Sequence, residues 1–382
     1  MAMATAPILP EDLILEILSW LPVEPLMRFR CVSKTWDSLI FEPYFVKLHR
    51  ERSSKETQVL LKFKDLNDVT NTWATFCSAP RLIQNPSSSL DDNRRYRLNP
   101  LNFFFGSCNG LLCLHESFVI YEYEEHWVRF WNPATRIMSE SSPRLCLHSS
   151  DYPAKTSSMK YGFGYDHQND TYKVLAMTLD TQRQQMNVKV YCMGDTCWKN
   201  ILTCPSFFTF DQVGYSVSGT VNWIGLPTEE DQPETPPNCE FVEIFSYDLT
   251  NDTYRYLRVP DYVFDELPFA EPYLGVFNGC LCVSLDQKRS NFIILLLKEI
   301  RGETSWTQLL NISYESLQIS IASYVDVVFL CMSDHVMLLA NYEDSKFIIY
   351  DLKLNRIERT EKFSNPFHIL SYDYVPSLVL PR

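Results

Sequence analysis

The sequence predicts an α+β multidomain chain: a small N-terminal three-helix head followed by an all-β, propeller-like body of about six blades, irregular ones included. Three observations predict it. Residues 9–40 carry apolar side chains at helical spacing, punctuated by prolines. The rest of the chain runs as short β-branched and aromatic stretches, with turn residues roughly every 8–12 positions. One hairpin signature returns several times along that body, as in a repeat architecture.

Leu9-Pro10 opens the first helix, because proline is tolerated in a first turn whose N–H groups have no helical partner. Glu11 and Asp12 place negative charge at the positive end of the helix dipole. Leu13, Ile14, Ile17, Leu18 and Leu21 then form one broad apolar stripe. Pro22 ends the run. Pro25 restarts a short turn through Leu26, Met27 and Phe29. Ser33 is placed to cap a third helix with Trp36, Leu39 and Ile40 on one face, and Pro43 reads as its stop. Units below ~40 residues rarely sustain a core alone. A large aliphatic side chain left in water forgoes roughly 1.5–3 kcal/mol. The stripe therefore needs a second surface, either this chain's own body or another protein.

The series Leu9-Pro10-x-Asp12-Leu13, Glu16-Ile17-Leu18, Leu21-Pro22, Leu26, Arg28-Phe29-Arg30-Cys31-Val32-Ser33-Lys34, Trp36 and Leu39-Ile40 resembles a plant F-box, here residues 9–50. The resemblance implies docking on the Skp-type adaptor of an SCF ubiquitin ligase, and through it on a cullin. The docking residues it implies are Leu9, Pro10, Leu13, Ile17, Leu18, Leu21, Pro22, Leu26, Cys31, Val32 and Trp36. Two places depart from the pattern: Trp20, where relatives often carry Arg or Ser, and Glu24-Pro25, where they often carry Lys-Ser. Such adaptors are acidic, so losing basic residues weakens steering while the apolar set stays intact.

In the body, Tyr165-Asp166-x-x-Asn169-Asp170-Thr171-Tyr172 recurs as Tyr247-Asp248-x-x-Asn251-Asp252-Thr253-Tyr254. Looser copies are Trp131-Asn132-Pro133-Ala134-Thr135-Arg136 and Tyr350-Asp351 through Arg356. The shared physics is a hairpin: an aromatic ends one strand, Asp or Asn turns the chain by bonding its own backbone, and Thr-Tyr begins the return. Asn109-Gly110 and Asn278-Gly279 are tight hairpin turns, since both positions accept positive φ. Ser218-Gly219 is another. A propeller blade takes ~40–50 residues, so this length holds roughly six, and ring closure hides sheet edges. FGSCNGLLCL (105–114), WNPATR (131–136), YGFGYDHQNDTYKVL (161–175), SGTVNWIG (218–225) and SYDYVPSLV (371–379) resemble the F-box-associated, kelch-like domain of plant F-box proteins. That resemblance implies a substrate-recruiting domain over 105–382. Residues 51–104 are read as a connecting region and 1–8 as a disordered N-terminus.

Composition narrows the function. The head has five basic and six acidic residues, so nearly all of the net charge of −13 lies in the body. That leaves no basic footprint for nucleic acid. No apolar run approaches the ~20 residues of a membrane span, and the start lacks a signal-peptide pattern. Twelve cysteines include no CxxC pair, and no histidine pair has zinc spacing. Most of them read as small buried hydrophobes in a reducing compartment, the cytoplasm or nucleus. The sequons at Asn169, Asn251 and Asn311 then read as turn residues. No GxSxG elbow, HExxH helix or phosphate-cradling loop occurs among eleven glycines, so no catalytic residue, metal or cofactor is assigned.

A protein target is expected at the longer loops, 84–95, 147–160, 225–240 and 260–272, because loops carry recognition. Within them Glu229, Glu230, Asp231, Tyr262, Phe264 and Phe269 are the nominated contacts. A stand-alone propeller hydrolase or ligand-binding protein, with the head packed onto the body, remains the alternative. It requires Leu13, Ile17 and Leu21 to be buried.

Overall fold

A computed structural model shows short N-terminal helices followed by an all-β body that, among the described residues, forms six blades in five hydrogen-bonded sheets. It describes the chain apart from residues 1–8, 53–56, 66–71, 91–94, 99–102, 121–122, 149–158, 181–182, 184, 228–240, 261–270, 288–289, 301–302, 320–326, 364–366 and 382. The N-terminus expected as disordered therefore lies outside the described residues, as do loops 228–240 and 261–270.

The head has four helices rather than three: α1 (Glu11–Ser19), α2 (Val23–Phe29), α3 (Lys34–Ile40) and α4 (Pro43–Arg52). Pro43, read from sequence as a stop, is instead the first residue of α4. At that position the missing N–H costs nothing, so the same residue ends one helix and starts the next. Ser33 caps α3 as expected, its Oγ accepting from Trp36 N at 3.1 Å. His49 of α4 is buried and donates from Nε2 to the Leu21 carbonyl at 2.8 Å, satisfying a backbone group at the α1–α2 turn.

Each blade is an antiparallel meander, and six innermost strands converge on a common centre. They are Phe103–Cys108, Lys160–Asp166, Val213–Val217, Tyr273–Phe277, Val327–Ser333 and Phe367–Tyr374. Two neighbouring blades fuse into one sheet through parallel pairing of their inner strands, Tyr161 opposite Val213 and Gly162 opposite Gly214. Those glycines are required by a close approach: a Cβ on Gly162 or Gly214 would come within 2.7 or 2.4 Å of the buried Trp223 ring. Tyr215 and Tyr372 stack across the centre, ring centroids 5.7 Å apart.

Residues 51–104, read from sequence as a connector, hold three blade strands: Gln58–Asp65, Thr72–Ser78 and Tyr96–Leu98. Two short helices, Ala79–Gln84 and Pro86–Leu90, lie between the last two, so the loop expected over 84–95 is partly helical. Gln58–Asp65 pairs with Phe367–Tyr374 over its whole length, Gln58 opposite Tyr374 and Asp65 opposite Phe367. The ring is thus closed by joining the two ends of the body. The strand character near Val59 is readable from sequence, but its partner lies far away at the other end of the chain and leaves no local signal.

The repeated hairpins share one turn. Asp166 Oδ1 accepts from Gln168 N and Asn169 N at 3.0 and 3.1 Å. Asp248 does the same to Thr250 and Asn251, Asp351 to Lys353 and Leu354, and Asn132 to Ala134 and Thr135. Each turn ends on a residue with positive φ, Asp170, Asp252, Asn355 or Arg136. In three of the four, the tyrosine before the turn donates its hydroxyl to that residue's side chain. Asn341, with Glu343 and Ser345, makes a fifth copy. The two-residue turns Asn109-Gly110, Ser218-Gly219 and Asn278-Gly279 all have positive φ at both positions.

Five of the eleven described cysteines are buried, three are partly buried, and all are free thiols. Burial pushes the thiols of Cys108, Cys204 and Cys282 up to about 12, so they stay neutral.

Candidate functional site: the exposed face of the helical head

Periodicity on α1 produces two faces, and the structure separates them. Leu18 joins Val23, Leu26, Ile40 and Phe45 in a core completed by Leu378 from the C-terminal tail. Ile14, Leu15, Leu21 and Trp36 line that core's edge while remaining partly exposed. The opposite face meets solvent. Leu13 is 50% exposed, Ile17 54% and Trp20 56%. Leu9, Pro10, Pro22, Cys31 and Val32 are exposed as well.

The nominated docking residues thus divide. Leu9, Pro10, Leu13, Ile17, Pro22, Cys31 and Val32 are open to a partner, and Leu21 and Trp36 are half-buried. Leu18 and Leu26 are withdrawn into the head core, 3% and 0% exposed. The resemblance groups them with the others because a single apolar stripe on a short helix does not reveal which half faces inward. Trp20 enters the sequence pattern only as a departure; its spacing from Leu13 and Ile17 places it on the exposed face.

The head sits on the propeller through the tail and α4. Asn132 Nδ2 donates to the carbonyls of Ser377 and Val379 at 2.9 and 2.8 Å, fixing the tail that delivers Leu378. Ser377 Oγ donates to the Asn109 carbonyl at 2.6 Å. Arg50 lies over the Tyr165 ring, 5.0 Å from its centroid. Val46 packs against both the head core and the core between two blades. Beside this contact a groove of about 710 Å³ opens between the units, walled by Met27, Arg28, Phe76, Tyr96, Arg136 and Tyr374. The head therefore does pack on the body, but by the face opposite Leu13 and Ile17. The stripe that a self-contained propeller protein would have to bury stays open.

Several histidines and carboxylates among the described residues of the body are engaged structurally. Asp166 is buried in its turn and His167 packs edge-on against Tyr165. His335 lies 3.5 Å from Asp351, itself a turn residue. His115 Nε2, His126 Nδ1 and the Tyr161 hydroxyl form a buried cluster with edges of 2.8–3.0 Å. Burial pulls the two imidazoles down to about 3 and about 4, so both are neutral near pH 7. Among the described residues no group of three or more His, Cys, Asp or Glu is gathered to hold a metal ion. No described helix is long and apolar enough to cross a membrane. Glu229, Glu230, Asp231, Tyr262, Phe264 and Phe269 lie outside the described residues.

Residues 54–380 match the family described as the F-box associated beta propeller domain. The chain belongs to that family. Residues 7–48 match the F-box domain. The order is therefore an F-box followed by an F-box-associated propeller, and the match starting at 54 includes the strands of the closing blade. Similar curated proteins come from Arabidopsis thaliana. The F-box/kelch-repeat protein At3g23880 is 27% identical, over 80% of this chain and 79% of its own. The F-box protein CPR1 is 25% identical, over 97% of this chain and 89% of its own. The F-box protein At1g52495 is 29% identical, over 79% of this chain and 68% of its own. An F-box joined to an F-box-associated propeller supports, in general terms, a substrate-recognition role in SCF complexes, with the F-box implying a Skp-type adaptor.

Proposed function

We propose that this chain is the substrate-recognition subunit of an SCF-type E3 ubiquitin ligase. The exposed face of the head docks on a Skp-type adaptor and through it on a cullin, while the propeller holds a protein target. The chain performs no chemistry of its own. Its contribution is proximity: holding a target beside a loaded conjugating enzyme raises the effective concentration of the reacting groups. The complex would work in the cytoplasm, the nucleus or both.

One observation carries this reading. The head is anchored to the body through Leu378, yet Leu13 and Ile17 stay in water. A head that served only to lid the propeller would turn its apolar stripe inward. An exposed apolar face rimmed by polar residues marks a protein interaction site.

The test is capture of a purified plant Skp-type adaptor by the full chain. Wild type is expected to bind. Leu13→Asp with Ile17→Asp is expected to abolish capture while the circular dichroism spectrum and melting temperature stay unchanged. Equal capture by both proteins would sink the reading.

A further inference from the structure

The exposed face of α1 runs on past Ile17 to Trp20, a residue that departs from the usual F-box pattern. Leu13, Ile17 and Trp20 are spaced four and three residues apart, so they stack on one side of α1. Trp20 is the C-cap of the helix and the largest side chain on that side, with over half of its surface in water. It is also held in place. Its Nε1 donates to Glu16 Oε1 at 3.4 Å. The Arg52 guanidinium, arriving from the far end of α4, lies 5.8 Å from the indole centroid. Arg52 is itself fixed by Glu16 and by Ser19 Oγ, the latter at 3.2 Å. The Arg52 bond also holds the Glu16 carboxyl below its ordinary pKa, so the clamp stays ionised at neutral pH.

We propose that Trp20 is an anchor of the adaptor-docking surface, a contact absent from the set the family pattern implies and one helical turn on from Ile17 along the exposed face of α1; this rests on the docking function proposed above. The occupant is the Skp-type adaptor, because the indole is continuous with Leu13 and Ile17 on the same face. An indole propped by two helices has little freedom left to lose on binding. Tryptophan is among the residues most enriched at the energetic centres of interfaces. The clamp of Glu16 and Arg52 takes no part in the head core, so it orders a side chain that the fold itself leaves outside.

The experiment is calorimetric titration of the full chain with purified Arabidopsis Skp-type adaptor, comparing wild type, Trp20→Ala, Trp20→Phe and the Leu13→Asp, Ile17→Asp double variant. Trp20→Ala is expected to weaken binding about 30-fold with the melting temperature unchanged, and Trp20→Phe to recover most of the loss. Arg52→Met, which removes the prop and leaves the indole, is expected to cost a smaller, few-fold loss. Binding by Trp20→Ala within two-fold of wild type overturns the proposal and leaves the docking function standing. Undiminished binding by the double variant overturns the docking function, and Trp20's part with it. A Trp20→Ala protein that loses self-association but keeps its adaptor affinity also overturns it, since the occupant would then be a second copy of this chain.

Discussion

Lys173, in one blade, places its ammonium 3.1 Å from the carboxylate of Asp252 in the next. The same nitrogen lies 3.1 Å from Asp166, which is fully buried, and donates to the Leu249 carbonyl. Two copies of the repeated turn are thus bolted together by a single cation. Removing one partner of a buried pair strands the other charge, at a cost of about 3–5 kcal/mol. Lys173→Met is therefore expected to lower stability by that amount in urea titrations. Lys199→Met, which breaks an exposed, solvent-screened pair with Asp195, should leave the urea midpoint nearly unchanged.

Stability should fall on acidification through His115 and His126. Their folded-state pKa values are about 3 and about 4 because burial disfavours the cation. Unfolded, each titrates near 6.5, so below that pH the unfolded chain takes up protons that the native cluster refuses. The loss begins near pH 6.5, grows to roughly 3–5 kcal/mol by pH 4.5 and levels off near pH 3. Asp373, which burial pushes up to about 6, opposes this. Its folded form holds a proton longer than its unfolded form, so it favours folding as pH falls from 6 towards 4. Asp211, Glu124 and Glu243, also raised by burial, act in the same direction as Asp373, so the net fall is smaller than the histidines alone would give. Urea midpoints at pH 7.0, 5.5 and 4.5 read the slope, and His126→Gln should flatten it.

Leu378 is the tail's contribution to the head core, fully buried among Leu18, Leu26 and Phe45. Leu378→Ala is expected to cost about 2–5 kcal/mol locally. Amide exchange in α1–α4 should accelerate while the strands on either side of the ring closure keep their protection. Equal acceleration everywhere would show that head and propeller unfold as one unit.

Leu26→Ala separates packing from docking. Leu26 touches no solvent, so its truncation should destabilise the head by about 2–5 kcal/mol. At low temperature, where the head remains folded, adaptor affinity should be retained. Leu13→Ala should show the reverse: an unchanged melting temperature and weaker binding.

Gly214→Ala places a methyl 2.4 Å from the Trp223 ring, which is sealed in the core. Overpacking of this kind typically costs about 1–3 kcal/mol. Differential scanning calorimetry should show a lower transition temperature with no second transition.

How much of this is legible in the sequence depends on the range of the signal. Asp166, Asp248, Asp351 and Asn132 make their turns with neighbours two and three residues away, so the hairpins and the approximate blade number can be read directly. The turn at Asn341 uses the same chemistry but follows Ala340 where the other copies have Tyr or Trp, so nothing in its sequence announces it. Pro43 carries two meanings, stop and start, that only the fourth helix resolves. Lys173 reaches seventy-nine residues along the chain to Asp252, and Gln58 pairs with Tyr374. Neither contact follows from spacing or composition. On the head, helical periodicity locates the stripe but not its inward half, because Leu378, the residue that claims Leu18 and Leu26, comes from the opposite end of the chain.

The pairing of Gln58–Asp65 with Phe367–Tyr374, followed at once by the tail that carries Leu378, has a consequence for how the protein is made. The head leaves the ribosome before the closing strand does. Until that strand emerges, the ring has two open edges and the head lacks one wall of its core. A translation product stopped before residue 367 would fail in both places at once, exposing sticky sheet edges together with a loosened helical head. Ring closure and head anchoring thus depend on one short stretch of chain, so that losing it would leave the docking surface without its mount.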